Sequence, residues 1–127
     1  MFPERSETVV LVAEDDPNAL AGYLEFLTAA GFVAVGRTDG SAALALALET
    51  VPGVVVTDIA LPGLDGFALA TALRANERTR MIPVVGLTGQ WNTEMQANAL
   101  RAGLSVMIAK PCMPAHLVAE IDRVLRR

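Results

Sequence analysis

Five residues of this sequence have the types and spacing to do chemistry together: Glu14, Asp15, Asp58, Thr88 and Lys110. Each stands where an apolar, largely β-branched run stops: residues 8–13, 54–57, 82–87 and 104–109. If those runs are neighbouring parallel strands, three carboxylates, a hydroxyl and an ammonium converge on one sheet edge. That edge, outside the carboxyl ends of the strands, is where open α/β folds bind ligands. Carboxylates so close repel, and one pair about 4 Å apart costs roughly 4 kcal/mol at an effective dielectric near 20. A hard divalent cation relieves this; Mg²⁺ binds through one or two carboxylates and keeps several waters. Lys110 supplies a second compensating charge. An aspartate beside Mg²⁺ and a lysine is placed to attack a phosphoryl group, because metal and ammonium neutralise the transferring oxygens. The Thr88 hydroxyl could then donate to a phosphoryl oxygen.

The elements that must position these residues alternate in type. Residues 8–13 read as a buried strand. Asp16 before Pro17 is an N-cap followed by proline at the first helical position. Leu20, Leu24 and Leu27 predict an amphipathic helix over 17–30, ended by Gly31. Residues 32–35 form a short second strand, and Asp39-Gly40-Ser41 marks a turn. The run 42–49 alternates Ala and Leu; strong helix formers without β-branched residues make it a helix, closed by Pro52-Gly53. Val54-Val55-Val56 leads into Asp58, and Pro62-Gly63 and Asp65-Gly66 are turns. A helix follows over 67–76, with Leu69 and Leu73 one turn apart. The fourth strand covers 82–87, a helix 92–102 ends at Gly103, and the fifth strand covers 104–109. Pro114 opens a last helix with Leu117, Ile121, Val124 and Leu125 on one face. Strands alternating with helices predict an α/β fold of (βα)5 type, a parallel sheet covered on both faces by right-handed crossovers.

With 127 residues, the chain reads as a single domain, 1–127, with its core over about 7–126. A hydrophobic fraction of 53% against 19% charged residues is a globular composition. No apolar run approaches the roughly 18 residues that span a bilayer. Residues 1–7 carry no apolar signal segment, so cytoplasmic residence without membrane insertion is expected. A single cysteine, Cys112, excludes an internal disulfide and a thiolate metal cluster. The net charge of −4 argues against direct nucleic-acid binding.

Taken together, the acidic pair Glu14-Asp15, Asp58 with Leu61-Pro62-Gly63 and Asp65-Gly66, Thr88, and Lys110-Pro111 resemble the receiver domains of bacterial two-component response regulators. The resemblance covers roughly residues 7–126. It implies a flavodoxin-like fold, a three-layer sandwich with strand order 2-1-3-4-5. It implies that Asp58 is the phosphoacceptor, and that Asp15, Asp58 and the Ala60 main-chain carbonyl ligate Mg²⁺, with Glu14 acting through bound water. Lys110 would pair with the acceptor and then with the phosphoryl group, and Thr88 would move toward it. The donor would be a histidine kinase or a histidine phosphotransfer protein. Output would pass to a downstream protein partner through the surface of the fourth helix, fifth strand and fifth helix. The domain would be a signalling module rather than an enzyme, a monomer or weak dimer. Met1 and the short leader favour a stand-alone regulator over an excised piece of a hybrid kinase. The Lys110–Pro111 peptide is usually cis in this family. Two positions depart from the pattern. Met107 stands where an aromatic is common, and Gly89 follows Thr88 where alanine is common. The usual threonine-to-aromatic relay is therefore expected to be blunted or carried by another side chain.

Other residues take plainer readings. Asp16 is a cap, Asp65 a turn or cap residue, His116 a surface residue, Cys112 a packed side chain and Trp91 a partly exposed loop residue. Three rival functions remain. A binding module that never uses phosphate is motivated by Met107. A flavin-binding electron carrier of this fold would need a phosphate cradle where Glu14-Asp15-Asp16 repels one. A haloacid-dehalogenase-type hydrolase would need an acid at Ala60. Phosphoryl lifetime would be tuned by Ala60 and Gln90, which flank the approach of water.

Overall fold

The computed structural model describes residues 4–126; residues 1–3 and 127, which fall in the expected domain and its leader, lie outside the described residues. Strands β1 (Val9–Ala13), β2 (Val33–Arg37), β3 (Val54–Asp58), β4 (Val84–Thr88) and β5 (Val106–Ala109) alternate with helices α1 (Pro17–Ala29), α2 (Gly40–Thr50), α3 (Gly66–Ala75), α4 (Thr93–Ala102) and α5 (Pro114–Leu125). All strand pairs are parallel, in the order β2-β1-β3-β4-β5. This is the flavodoxin-like arrangement that the resemblance implies.

Position in the sheet explains strand composition. β3 and β4 are buried at every residue, which is why both read as continuous apolar runs. β2 and β5 are the edges and are partly exposed. Alternate side chains face opposite layers. Val10, Val12, Val54 and Val56 pack with Leu20 and Leu27 of α1 and with Leu117, Ile121 and Val124 of α5. Leu11, Val55 and Val84 pack with Ala43 and Ala47 of α2 and with Leu69 and Leu73 of α3. α2 thus buries Ala43 and Ala47 completely and its leucines only in part, so small side chains bring it close to the sheet.

Capping sets the helix starts. The carboxylates of Asp16, Asp39 and Asp65 accept from the N–H groups of Asn18, Ala42 and Ala68, and the Asn92 side chain accepts from Met95. Asp39 is therefore a cap, and α2 begins two residues earlier than its alanine run suggests. β2 runs on to Arg37, because Arg37 pairs with Ala13 and accepts the Glu14 N–H at 3.1 Å. β4 and β5 begin later than expected. Pro83 has no N–H for a ladder, and the Leu104 N–H turns back to the Ala99 carbonyl as α4 ends. A short 3-10 turn at Arg5–Glu7, absent from the sequence reading, is tied down by Arg5. That guanidinium donates to the Ala30 carbonyl and to Asp122, and lies over the Phe32 ring. No helix among the described residues is long and apolar enough to cross a membrane.

Candidate functional site

The parallel sheet brings the carboxyl ends of β1, β3, β4 and β5 to one edge, and the sequence-predicted residues meet there. Glu14 follows β1 and is only 3% exposed, whereas Asp15 beside it is exposed. Asp58 closes β3 at 7% exposure. Carboxylate oxygens of Glu14, Asp15 and Asp58 all lie within 4.8 Å of one another. The Lys110 ammonium, one residue beyond β5, donates to Asp58 Oδ2 at 2.8 Å and to Glu14 Oε1 at 3.3 Å. Glu14 Oε2 also accepts the Asp16 N–H at 3.2 Å, so this buried acid is held from both sides. The Lys110 N–H donates to the Thr88 carbonyl at 2.7 Å, and the Lys110–Pro111 peptide is cis, as the resemblance implies.

Burial sets the electrostatics of Glu14 and works against those of Lys110. It raises the Glu14 pKa, although the Asp16 N–H and the Lys110 charge pull the other way. It also disfavours the Lys110 ammonium, but the hydrogen bond and charge of Asp58, followed by those of Glu14, outweigh it. The lysine is held well above its ordinary value. Three carboxylates against one ammonium leave this corner negative, and the donor set is entirely oxygen. That chemistry suits a hard divalent cation of the Mg²⁺ kind.

The loop after Asp58 is folded back over the end of β3. The Gly66 N–H donates to the Ile59 carbonyl at 2.9 Å, and a Cβ on Gly66 would stand 2.8 Å from the Asp58 carbonyl oxygen. Gly63 has a φ of 80°, open to glycine at little cost. Gly40, the first residue of α2, touches the same loop so closely that a Cβ would fall 1.8 Å from the Leu64 carbonyl oxygen. Ala60 is exposed by this fold and, with Asp15, lines a hollow of about 710 Å³ that runs between the loop and α4 past Gln90, Asn92 and Asn98.

Thr88 closes β4 at the same edge, and the neighbouring backbone engages its side chain. Its hydroxyl donates to the Gln90 carbonyl at 2.7 Å and accepts the Gln90 N–H at 3.1 Å. The sequence reading did not foresee Gln90 as its partner, nor Gly40 and Gly66 as close-packing positions. Glycines at the first helical position, just after a capping aspartate, were the available signal. The plainer assignments hold: His116 is exposed, Cys112 half-buried, and Trp91 is 51% exposed. Met107 is half-buried on β5.

An acid cluster and a lysine at the carboxyl edge of a 2-1-3-4-5 sheet define a class of signalling module, and the wider comparisons agree. A model of the response regulator receiver domain matches residues 10–122. The transcriptional regulatory protein PrrA of Mycobacterium leprae is 38% identical over 118 residues, covering 93% of this chain and 50% of that protein. The chemotaxis protein CheY4 of Vibrio cholerae superposes with a TM-score of 0.89 at 26% identity, covering 93% of this chain and 98% of that one. The receiver domain of the sensor histidine kinase PA1611 from Pseudomonas aeruginosa, whose structure holds a magnesium ion in its active site cleft, gives 0.87 at 28% identity, covering 94% and 98%. The chain belongs to the response regulator receiver domain family. It spans about half the length of the curated relatives it matches first.

Proposed function

We propose that this domain accepts a phosphoryl group on Asp58 in a Mg²⁺-dependent reaction and thereby controls a protein partner. The observation that carries this reading is the contact of Asp58 with Lys110 at 2.8 Å inside a cluster of three carboxylates. Asp15, Asp58 and the Ala60 carbonyl would hold the metal, with Glu14 acting through water. When bound, the metal would screen charge on the transferring oxygens.

The chain's own residues do the rest. Asp58 supplies the carboxylate oxygen that bonds to phosphorus as the bond to the donor breaks. With a phosphohistidine donor, the electron pair of the P–N bond leaves with the imidazole, which takes up a proton. Lys110 keeps its charge throughout and passes from the acceptor carboxylate to a phosphoryl oxygen. Thr88 exchanges its bond to Gln90 for one to the phosphoryl group. The donor is a histidine kinase or a histidine phosphotransfer protein. Residues 7–126 act as one domain in the cytoplasm, and output leaves through the α4–β5–α5 surface. Intact mass after incubation with acetyl phosphate tests the chemistry. A gain of one phosphoryl group that requires Mg²⁺ and disappears in Asp58→Asn is expected. A gain that persists in that variant would refute the assignment.

A further inference from the structure

The amino-terminal edge of the sheet, opposite to Asp58, carries a separate hollow of about 480 Å³. Pro83, just before β4, and Ser105, just before β5, place it there, and the last turn of α5 closes its side. Pro83, Val124 and Leu125 give it an apolar lining. Met81, 86% exposed, extends that lining outward. A single exposed apolar side chain is ordinary on a protein surface. This one adjoins a hollow that also holds two cations.

The two arginines are held differently. Arg74 Nε and Nη2 donate to the Gly103 carbonyl at 3.1 and 2.8 Å, and Nη1 donates to the carbonyls of Ile82 at 2.6 Å and Arg80 at 3.0 Å. Carbonyls fix the guanidinium but bring no opposite charge. Burial accordingly lowers the Arg74 pKa, and no carboxylate acts against it. Among the described residues, neither Arg74 nor Arg80 pairs with a carboxylate. Residues 74–83 hold three arginines against one acid, Glu77, so this corner is positive in a chain of net charge −4. Ser105 Oγ accepts the Val84 N–H, which leaves its own O–H to donate.

We infer that this hollow docks an acidic segment of a partner protein, one in which a carboxylate stands beside an aliphatic side chain. The aliphatic group covers the lining formed by Met81, Pro83, Val124 and Leu125. The carboxylate meets the Arg80 guanidinium and the Ser105 hydroxyl, and supplies the negative charge that Arg74 lacks. A nucleic acid would leave the apolar lining unused and would meet the repulsion of a net negative chain. The surface lies away from the acid cluster and does not depend on the role of Asp58.

Backbone amide resonances of the full chain, followed as a capped Glu-Leu-Glu-Leu peptide is added, test the inference. Gln-Leu-Gln-Leu and Lys-Leu-Lys-Leu peptides are the controls. The glutamate peptide is expected to give saturable shifts at Met81, Ile82, Ser105 and Leu125. The glutamine peptide should bind more weakly by about fivefold or more, and the lysine peptide should not bind. Arg80→Glu, at an exposed position, should weaken the glutamate peptide by a similar factor of about five and admit the lysine peptide. No saturable shift at millimolar peptide, equal binding of the glutamate and glutamine peptides, or glutamate binding unchanged by Arg80→Glu would overturn the inference. Shifts at the same residues that grow with protein concentration alone would put a second copy of the chain on this surface and overturn the assignment to a partner.

Discussion

Replacing Asp58 by asparagine removes one charge from a cluster of three carboxylates served by one ammonium, and the distances say what should follow. At an effective dielectric of about 20, the Lys110–Asp58 pair at 2.8 Å attracts by about 6 kcal/mol in gross terms. Glu14 and Asp15 both stand within 4.8 Å, so each repels Asp58 by about 3.5 kcal/mol or more on the same scale. The two repulsions together slightly exceed the one attraction. Burial of Asp58 to 7% exposure adds a desolvation cost to its charge. Asparagine keeps the shape and one oxygen that can accept from Lys110. Without divalent cation, Asp58→Asn should therefore unfold at the same temperature as the parent or a few degrees higher. The gain is about 1 kcal/mol, or roughly 3–5 °C for a domain of this size. Saturating Mg²⁺ should reverse the order. A ligand at a hundredfold excess over its Kd stabilises by about 2.7 kcal/mol, and the variant has lost a charged ligand. Calorimetric scans in EDTA and in Mg²⁺ measure both. A loss of more than about 2 kcal/mol in EDTA would mean that the lysine pair dominates the repulsion. The electrostatic account of the site would then be wrong.

Other consequences are independent of that one. The raised Glu14 pKa gives a contribution to stability that is present below its ordinary value of 4.5 and lost as pH rises through the folded value. Glu14→Gln should flatten that decline in urea midpoints measured from about pH 4 to 7 without metal, and an unchanged slope would exclude the account. Val51 ends α2 in the left-handed region at φ 47°, which is costly for a β-branched residue. Val51→Gly should raise the urea unfolding free energy by about 0.5–1 kcal/mol, and destabilisation would contradict it. Gly40→Ala would press a methyl group onto the Leu64 carbonyl, and should cost about 3 kcal/mol in the same assay. Burial raises the Cys112 thiol, so its alkylation by iodoacetamide should rise with pH through a midpoint above that of free cysteine; a midpoint below it would refute the packed-thiol reading.

Much of this molecule was legible before any coordinates, for reasons that are local. Three valines ahead of Asp58 say that a buried strand stops at a carboxylate, and alternating strand and helix patterns say that the sheet is parallel. Parallel strands put their carboxyl ends on one edge. That is why Glu14, Asp15, Asp58, Thr88 and Lys110, separated by as many as 96 positions, could be grouped from order alone. Asp16-Pro17 announced a cap, and Asp65-Gly66 a turn or cap, because a short acid that accepts a backbone N–H is a signal contained within one turn.

What no local pattern could decide is how those groups face one another. Glu14 and Asp15 are adjacent and chemically alike, yet one is buried against Lys110 and the other exposed, because successive residues leaving a strand turn to opposite sides. The Thr88 hydroxyl, expected to move toward a phosphoryl group, is bonded to the Gln90 backbone, a partner that no sequence pattern names. Asp39 looked like a turn residue and caps a helix whose first glycine is pressed against another loop. Met107 looked only like a missing aromatic, until its cross-strand partner proved to be a glycine that leaves room for its sulfur. Residue type and spacing determined which groups reach the edge. Their pairing and packing depend on contacts between residues distant in the chain, and only the folded backbone brings those into range.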